Sequence, residues 1–173
     1  LDDPLERWAP GYYDGLGVTV RHLITNTSGI VSYNYVGSFD TSRSWTPDQL
    51  VQWAVMNEPA LRFVPGAEWE YSNTSYVRLG MVVEAATAQD CEVALQERLL
   101  DPVGLTETYL DDGTLDDDNV VRSYREGADV SDGHDPSFGW AAGGMVSTPR
   151  DLARWGVALY AGDVISESMR TLM

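Results

Sequence analysis

A phenol and a carboxamide stand two residues apart in Tyr71-Ser72-Asn73, inside Pro65-Gly66-Ala67-Glu68-Trp69-Glu70-Tyr71-Ser72-Asn73-Thr74-Ser75-Tyr76. Displayed from one short loop, such a pair can divide the work of a reaction: the phenol moves a proton and the carboxamide clamps a substrate. A plainer account uses the same residues, with Ser72 or Asn73 as the N-cap of a helix and Tyr71 as a core aromatic. Spacing alone does not separate the two, because Tyr-x-Asn is a short pattern.

The flanking sequence puts the triplet at a helix start. Pro65-Gly66 stops whatever precedes it, and apolar residues recur at helical spacing from Thr74 to Ala86. Gly80 within that helix costs roughly 1 kcal/mol relative to Ala, so another backbone is expected to approach it closely. Upstream, Leu1 to Pro10 reads as an extended or loosely helical lead-in. Thr19 is then expected to cap a short helix from Val20 to Asn26, with Leu23 and Ile24 facing inward and Gly29 as its stop. His22 in that helix reads as structural. The segment from Ile30 to Ser44 has no period and reads as loop, whereas Thr46-Pro47-Asp48-Gln49 opens a helix to about Asn57 that buries Leu50, Trp53 and Ala54.

Downstream, Asp90 is positioned to cap a helix to Leu100, ended by Asp101-Pro102 and Gly104. Thr148-Pro149-Arg150-Asp151 starts another, carrying Leu152, Trp155, Val157 and Leu159 to Gly162, and a last helix opens at Ser166. Between them, Asp111 to Asp135 holds nine carboxylates and little apolar sequence. Asp111, Asp112 and Asp116-Asp117-Asp118-Asn119 invite a calcium reading but lack the alternation and central glycine of an EF-hand loop, so a solvated acidic loop is expected and no metal or cofactor is assigned.

Length and composition fit one domain: 173 residues, 43% hydrophobic and 10% aromatic. The net charge is −16, from 27 acidic residues against 11 basic ones, and every basic residue is arginine. That surface argues against nucleic acid or an anionic membrane as partner. No apolar run approaches spanning length, and the single Cys91 allows no internal disulfide.

Taken together, four ordered stretches carry a resemblance: Leu1-Asp2-Asp3-Pro4-Leu5; Val18-Thr19-Val20-Arg21-His22-Leu23-Ile24-Thr25-Asn26-Thr27-Ser28-Gly29-Ile30; Phe63-Val64-Pro65-Gly66 with Tyr71-Ser72-Asn73; and Gly143-Gly144-Met145-Val146-Ser147-Thr148 with Asp151-Leu152. They resemble the serine β-lactamase and D-alanyl-D-alanine carboxypeptidase superfamily, nearest in flavour to its class C type with esterase and peptidase relatives. The resemblance implies that Tyr71 is the general acid/base and that Asn73 holds the substrate amide and helps place the catalytic lysine. The substrates it implies are small amides, esters or β-lactams, and it implies a periplasmic or secreted location.

The departure from the family pattern is equally specific. The family uses a nucleophile motif Ser-x-x-Lys and a third motif Lys-Thr-Gly or His-x-Gly. With no lysine, Ser-x-x-Lys cannot occur here, and neither His22 nor His134 has a glycine two residues on. The chain therefore reads as a single, mainly α domain, residues 1–173: the helical domain of the β-lactamase/transpeptidase-like fold, truncated at both ends, with the sheet domain absent. A free tyrosine has a pKa near 10 and works as a base at neutral pH only beside cations, so the chain by itself is expected to be inactive.

Two other classes are weighed. A complete hydrolase could pair Ser28, Ser72 or Ser147 with His22 or His134, although none of these serines lies in Gly-x-Ser-x-Gly. A non-catalytic helical binding module would account for the missing motifs without truncation. If the sheet is absent, the face meant for it should expose apolar residues such as Trp140 and Met145 and promote self-association. The sequons at Asn26 and Asn73 read as chance, since a glycan on Asn73 would block the site.

Overall fold

Threonine side chains close the first turn of three helices. In the computed structural model, which describes residues 1–111, 113, 120–131 and 133–172, helix α1 spans Val20–Ile24 and α2 spans Pro47–Asn57. Thr19 Oγ1 accepts from the His22 N–H at 3.3 Å, and His22 Nδ1 accepts from the Thr19 N–H at 3.2 Å. Thr46 and Gln49 repeat this reciprocal pattern at 3.3 and 3.0 Å. His22 thus occupies the place of the usual capping-box Glu or Gln, a structural role.

The longest helix, α3 (Asn73–Thr87), starts at Ser72, whose Oγ accepts from the Ser75 N–H at 3.1 Å. It packs against α1, α2 and the short 3-10 turn Trp140–Ala142. Val77 and Gly80 lie on its buried face. A Cβ added at Gly80 would stand 2.6 Å from Ala141 Cβ and 2.7 Å from Trp140 Cζ3. The close neighbours are side chains, not the backbone expected; the indole fills the place a larger residue would take.

Helix α4 covers Cys91–Leu95 and passes into a π-helical turn, Gln96–Leu100. Asp90 makes no capping hydrogen bond there, in contrast to the expectation. Strand β1 (Thr108–Leu110) follows; β2 (Tyr124–Arg125) and β3 (Ala128–Asp129) form a small hairpin; β4 (Met145–Ser147) returns to pair antiparallel with β1, Tyr109 opposite Val146. Helix α5 (Pro149–Ala161) is capped by Thr148, and α6 (Glu167–Arg170) by Ser166. The fold is mainly helical with little strand. Of the acidic stretch read for calcium, Asp112 and Asp116 to Asn119 lie outside the described residues. Among the described residues, no helix is long and apolar enough to cross a membrane, and no three His, Cys, Asp or Glu side chains group to hold a metal.

The core gathers under α1, α2 and the loop before α2. Leu23, Ile30, Tyr33, Leu50, Val51 and Val77 are almost fully buried in it. Beside them Phe39 stacks on Trp45 with centroids 4.9 Å apart, and Trp53 meets Trp45 edge-on at 5.6 Å. The indole N–H of Trp53 reaches the Val36 carbonyl at 3.1 Å, so the cluster is apolar yet satisfied. Arg78 is also buried, donating to the Ala9 carbonyl beneath the ring of Tyr13; burial holds its pKa below the ordinary value.

Ile24 on α1, expected to face inward, is exposed, and so are Leu152 and Val157 on α5. On α5 the buried positions are Asp151 and Ala158. The Asp151 carboxylate accepts from the Glu107 N–H at 2.8 Å and the Thr108 hydroxyl at 3.1 Å, and this polar contact, not an apolar stripe, ties α5 to β1. Trp140 is half-buried against Gly80, while Met145 is exposed.

Candidate active site

Backbone conformation alone explains how Tyr71 and Asn73 come to face the same way. Ser72 is extended, with φ −143° and ψ 109°, and side chains alternate across an extended segment. Ser72 therefore points in and is fully buried, while its neighbours project together on the other side. The Ser72 N–H is held by Asn26 Oδ1 at 3.1 Å, and the Glu70 N–H by the Asn26 carbonyl at 3.0 Å. Asn26 makes both bonds from a left-handed backbone, φ 55°, a conformation asparagine tolerates better than most residues.

The Tyr71 hydroxyl donates to Asn73 Oδ1 at 2.8 Å. Asn73 Nδ2 donates to Asn34 Oδ1 at 3.1 Å, which also accepts from Ser32 Oγ at 2.6 Å. Ser32 Oγ in turn accepts from the Asn73 N–H at 2.8 Å. The carboxamide is thus oriented on both sides. One Nδ2 hydrogen and one Oδ1 lone pair remain for a ligand. Tyr71 is 43% exposed, so it is not the core aromatic of the plainer account; Ser72 is nevertheless the N-cap of that account.

A second tie fixes the loop from below. The Tyr33 N–H donates to Thr74 Oγ1 at 2.9 Å, and Ser28 Oγ and Ser75 Oγ share a hydrogen bond of 2.9 Å. The Tyr33 hydroxyl donates to the Phe138 carbonyl, joining this loop to the glycine-rich turn 139–144. Burial pushes the Tyr33 pKa well up, and the nearby Tyr71 phenol adds to the shift. Tyr33 therefore remains a neutral donor.

Asn73 opens onto a cleft of about 210 Å³ whose walls include Tyr33, Asp111, Phe138, Gly144 and Met145. The turn folds back on itself tightly enough to exclude a side chain at Gly144, where a Cβ would sit 2.9 Å from the Trp140 N and O. Two backbone bonds set the cleft's far wall, from the Asp111 N–H to the Gly144 carbonyl and from the Gly144 N–H to the Trp140 carbonyl, each 2.8 Å.

The serine–histidine alternatives find no support in this geometry. Ser28 and Ser72 are buried and engaged as above, and Ser147 Oγ bonds Thr108 Oγ1 at 2.7 Å. His22 serves the Thr19 cap, and His134 Nδ1 lies 2.7 Å from Thr41 Oγ1. Sequence reasoning missed Ser32 and Asn34 and read Asp111 only for calcium, because an aperiodic loop and an acidic run give no signal of which members turn toward a cleft.

The chain belongs to the Beta-lactamase family, whose family model matches residues 1–173. It is similar to Penicillin-binding protein 4* of Bacillus subtilis (strain 168), with 28% identity over 98% of this chain and 41% of that protein. It is also similar in structure to a D-stereospecific amidohydrolase from Streptomyces sp., at 36% identity and a TM-score of 0.85, covering 97% of this chain and 55% of the other. A D-amino acid amidase from Ochrobactrum anthropi SV3, solved with L-phenylalanine, gives 29% identity and a TM-score of 0.87 over 97% of this chain and 49% of the other. The chain thus spans about half the length, or less, of these relatives.

Proposed function

We propose that this chain is the helical part of a serine hydrolase that works through an acyl-enzyme, with Tyr71 as general acid/base and Asn73 as substrate clamp. The observation that carries it is the hydrogen bond of 2.8 Å joining Tyr71 to Asn73, a residue that lines the cleft. In this reading the nucleophile Ser-x-x-Lys and the sheet domain belong to residues outside these 173, since the chain has no lysine. The serine attacks an amide, ester or β-lactam carbonyl, Tyr71 takes the hydroxyl proton and passes it to the leaving nitrogen or oxygen as its bond to the carbonyl breaks, and water later releases the acyl group. Asn73 Nδ2 donates to the substrate amide carbonyl and holds it in line.

The names of the relatives support amides as substrates, and the family resemblance supports an exported protein. The test is turnover of a p-nitrophenyl ester, a penicillin and phenylalanine amide by the protein expressed with its flanking coding sequence, compared with its Tyr71→Phe variant. Loss of about 10²–10⁴-fold in kcat/KM with an unchanged melting temperature supports the reading. Unaltered turnover in Tyr71→Phe overturns the role of Tyr71, and no turnover of any substrate overturns the reading as a whole.

A further inference from the structure

Strand β4 borders two spaces. Val146 lines the Asn73 cleft, Ser147 lines an apolar cavity of about 400 Å³, and Met145 lines both. The walls of that cavity are Leu95, Leu99, Leu100, Leu105, Leu152 and Trp155. Three of these leucines reach it together because Gln96–Leu100 is a π-helical turn, whose greater width sets Leu100 as well as Leu99 on the side of Leu95. Such turns are rare and recur at functional sites.

The polar side chains on this cavity already have partners. Thr108 Oγ1 and Ser147 Oγ share a hydrogen bond of 2.7 Å, and Asp151 accepts from Thr108 Oγ1 at 3.1 Å on one oxygen and from Arg154 Nη1 at 3.2 Å on the other. An aliphatic ligand therefore strands none of them, and it gains about fourfold in affinity for each methylene it buries. Leu152 and Met145 are 58% and 46% exposed, so part of the apolar wall still faces water. The volume is that of a small-molecule site. Met145 is unbranched with several rotatable bonds, and the partition it forms yields to a ligand.

We propose that this cavity takes the aliphatic chain of the substrate's acyl group, entering from the cleft past Met145, so that amides and esters of unbranched medium-chain acids are a favoured class. The acyl side is specified because it stays bound through both halves of the reaction. This rests on the acyl-transfer reading for what is cleaved, but holding the chain does not require the nucleophile.

The test uses the protein expressed with its flanking coding sequence. Its kcat/KM for p-nitrophenyl hexanoate should exceed that for p-nitrophenyl acetate on the order of tenfold or more, and Leu99→Trp, which fills the cavity, should bring the two level. Leu152→Glu, at an exposed position that keeps the fold intact, should do the same. Binding is read separately by NMR, where hexanamide but not acetamide should shift the Leu99, Leu105 and Met145 signals. Equal rates for the two esters in the parent protein, a hexanoate preference that survives both variants, or no response at Leu99 and Leu105, as when residues outside these 173 fill the cavity, overturns the proposal. Failure to turn over either ester overturns the acyl-transfer reading instead, and the NMR titration then decides on the cavity alone.

Discussion

The Tyr71 hydroxyl donates to Asn73 Oδ1, and the Asn73 amide nitrogen donates to Asn34 Oδ1, so one carboxamide couples a proton-transfer candidate to a loop 39 residues upstream. Asn34 is exposed. Asn34→Ala in the protein carrying the nucleophile should lower kcat/KM on amides by about tenfold, by freeing the Asn73 side chain. Asn34→Asp keeps the acceptor and should restore most of it. Steady-state kinetics beside thermal melts, which should move little, check this.

Asn26 carries the lip of α3 from a left-handed backbone. Asn26→Ala removes the acceptor for the Ser72 N–H and places Ala at φ 55°, and should destabilise by about 1–3 kcal/mol in chemical unfolding. Asn26→Gly relieves the backbone and should recover part of that loss.

Gly80→Val should cost about 1–3 kcal/mol, since its first methyl-bearing carbon would meet Ala141 and Trp140 below normal contact distance. The displaced turn also walls the cleft, so Gly144 should change its NMR amide shift in this variant.

High pH should unfold the protein through groups held neutral by burial. Desolvation, reinforced by Glu84, pushes the Cys91 thiol up from 9.0 to about 11, and burial raises the phenols of Tyr13 and Tyr33 further. A folded-state value above the unfolded one gives stability that is complete below about pH 9 and is lost as pH rises through 11, because the unfolded chain releases its protons first. Melting temperature measured from pH 7 to 11 should fall above pH 9, and Cys91→Ala should flatten the first part of that fall.

Helix starts were legible because their signals are local: Thr46-Pro47 and Thr148-Pro149 each encode a cap and a fixed φ, and Gln49 adds a returning side chain within four residues. Tyr71 and Asn73 became candidates through the resemblance, not through spacing, and their shared direction follows from one extended residue between them. The buried face of α5 was not legible, because Asp151 buries a carboxylate on partners from β1, more than forty residues away, and periodicity reads only apolar stripes. Gly80 was read as the close approach of another backbone, whereas the fold brings the side chains of Ala141 and Trp140 against it, which no local signal encodes. Asn34 lies in a segment without a period, so nothing in its neighbourhood distinguished it from solvated polar residues.

The most direct measurement is intact mass after treatment with a fluorophosphonate, made on the 173-residue chain and on the protein expressed with its flanking coding sequence. The account predicts no adduct on the chain alone and one stoichiometric adduct on the longer protein, at a serine outside these residues. An adduct on Ser28, Ser72, Ser147 or any other serine of this chain, or none on the longer protein, would contradict it.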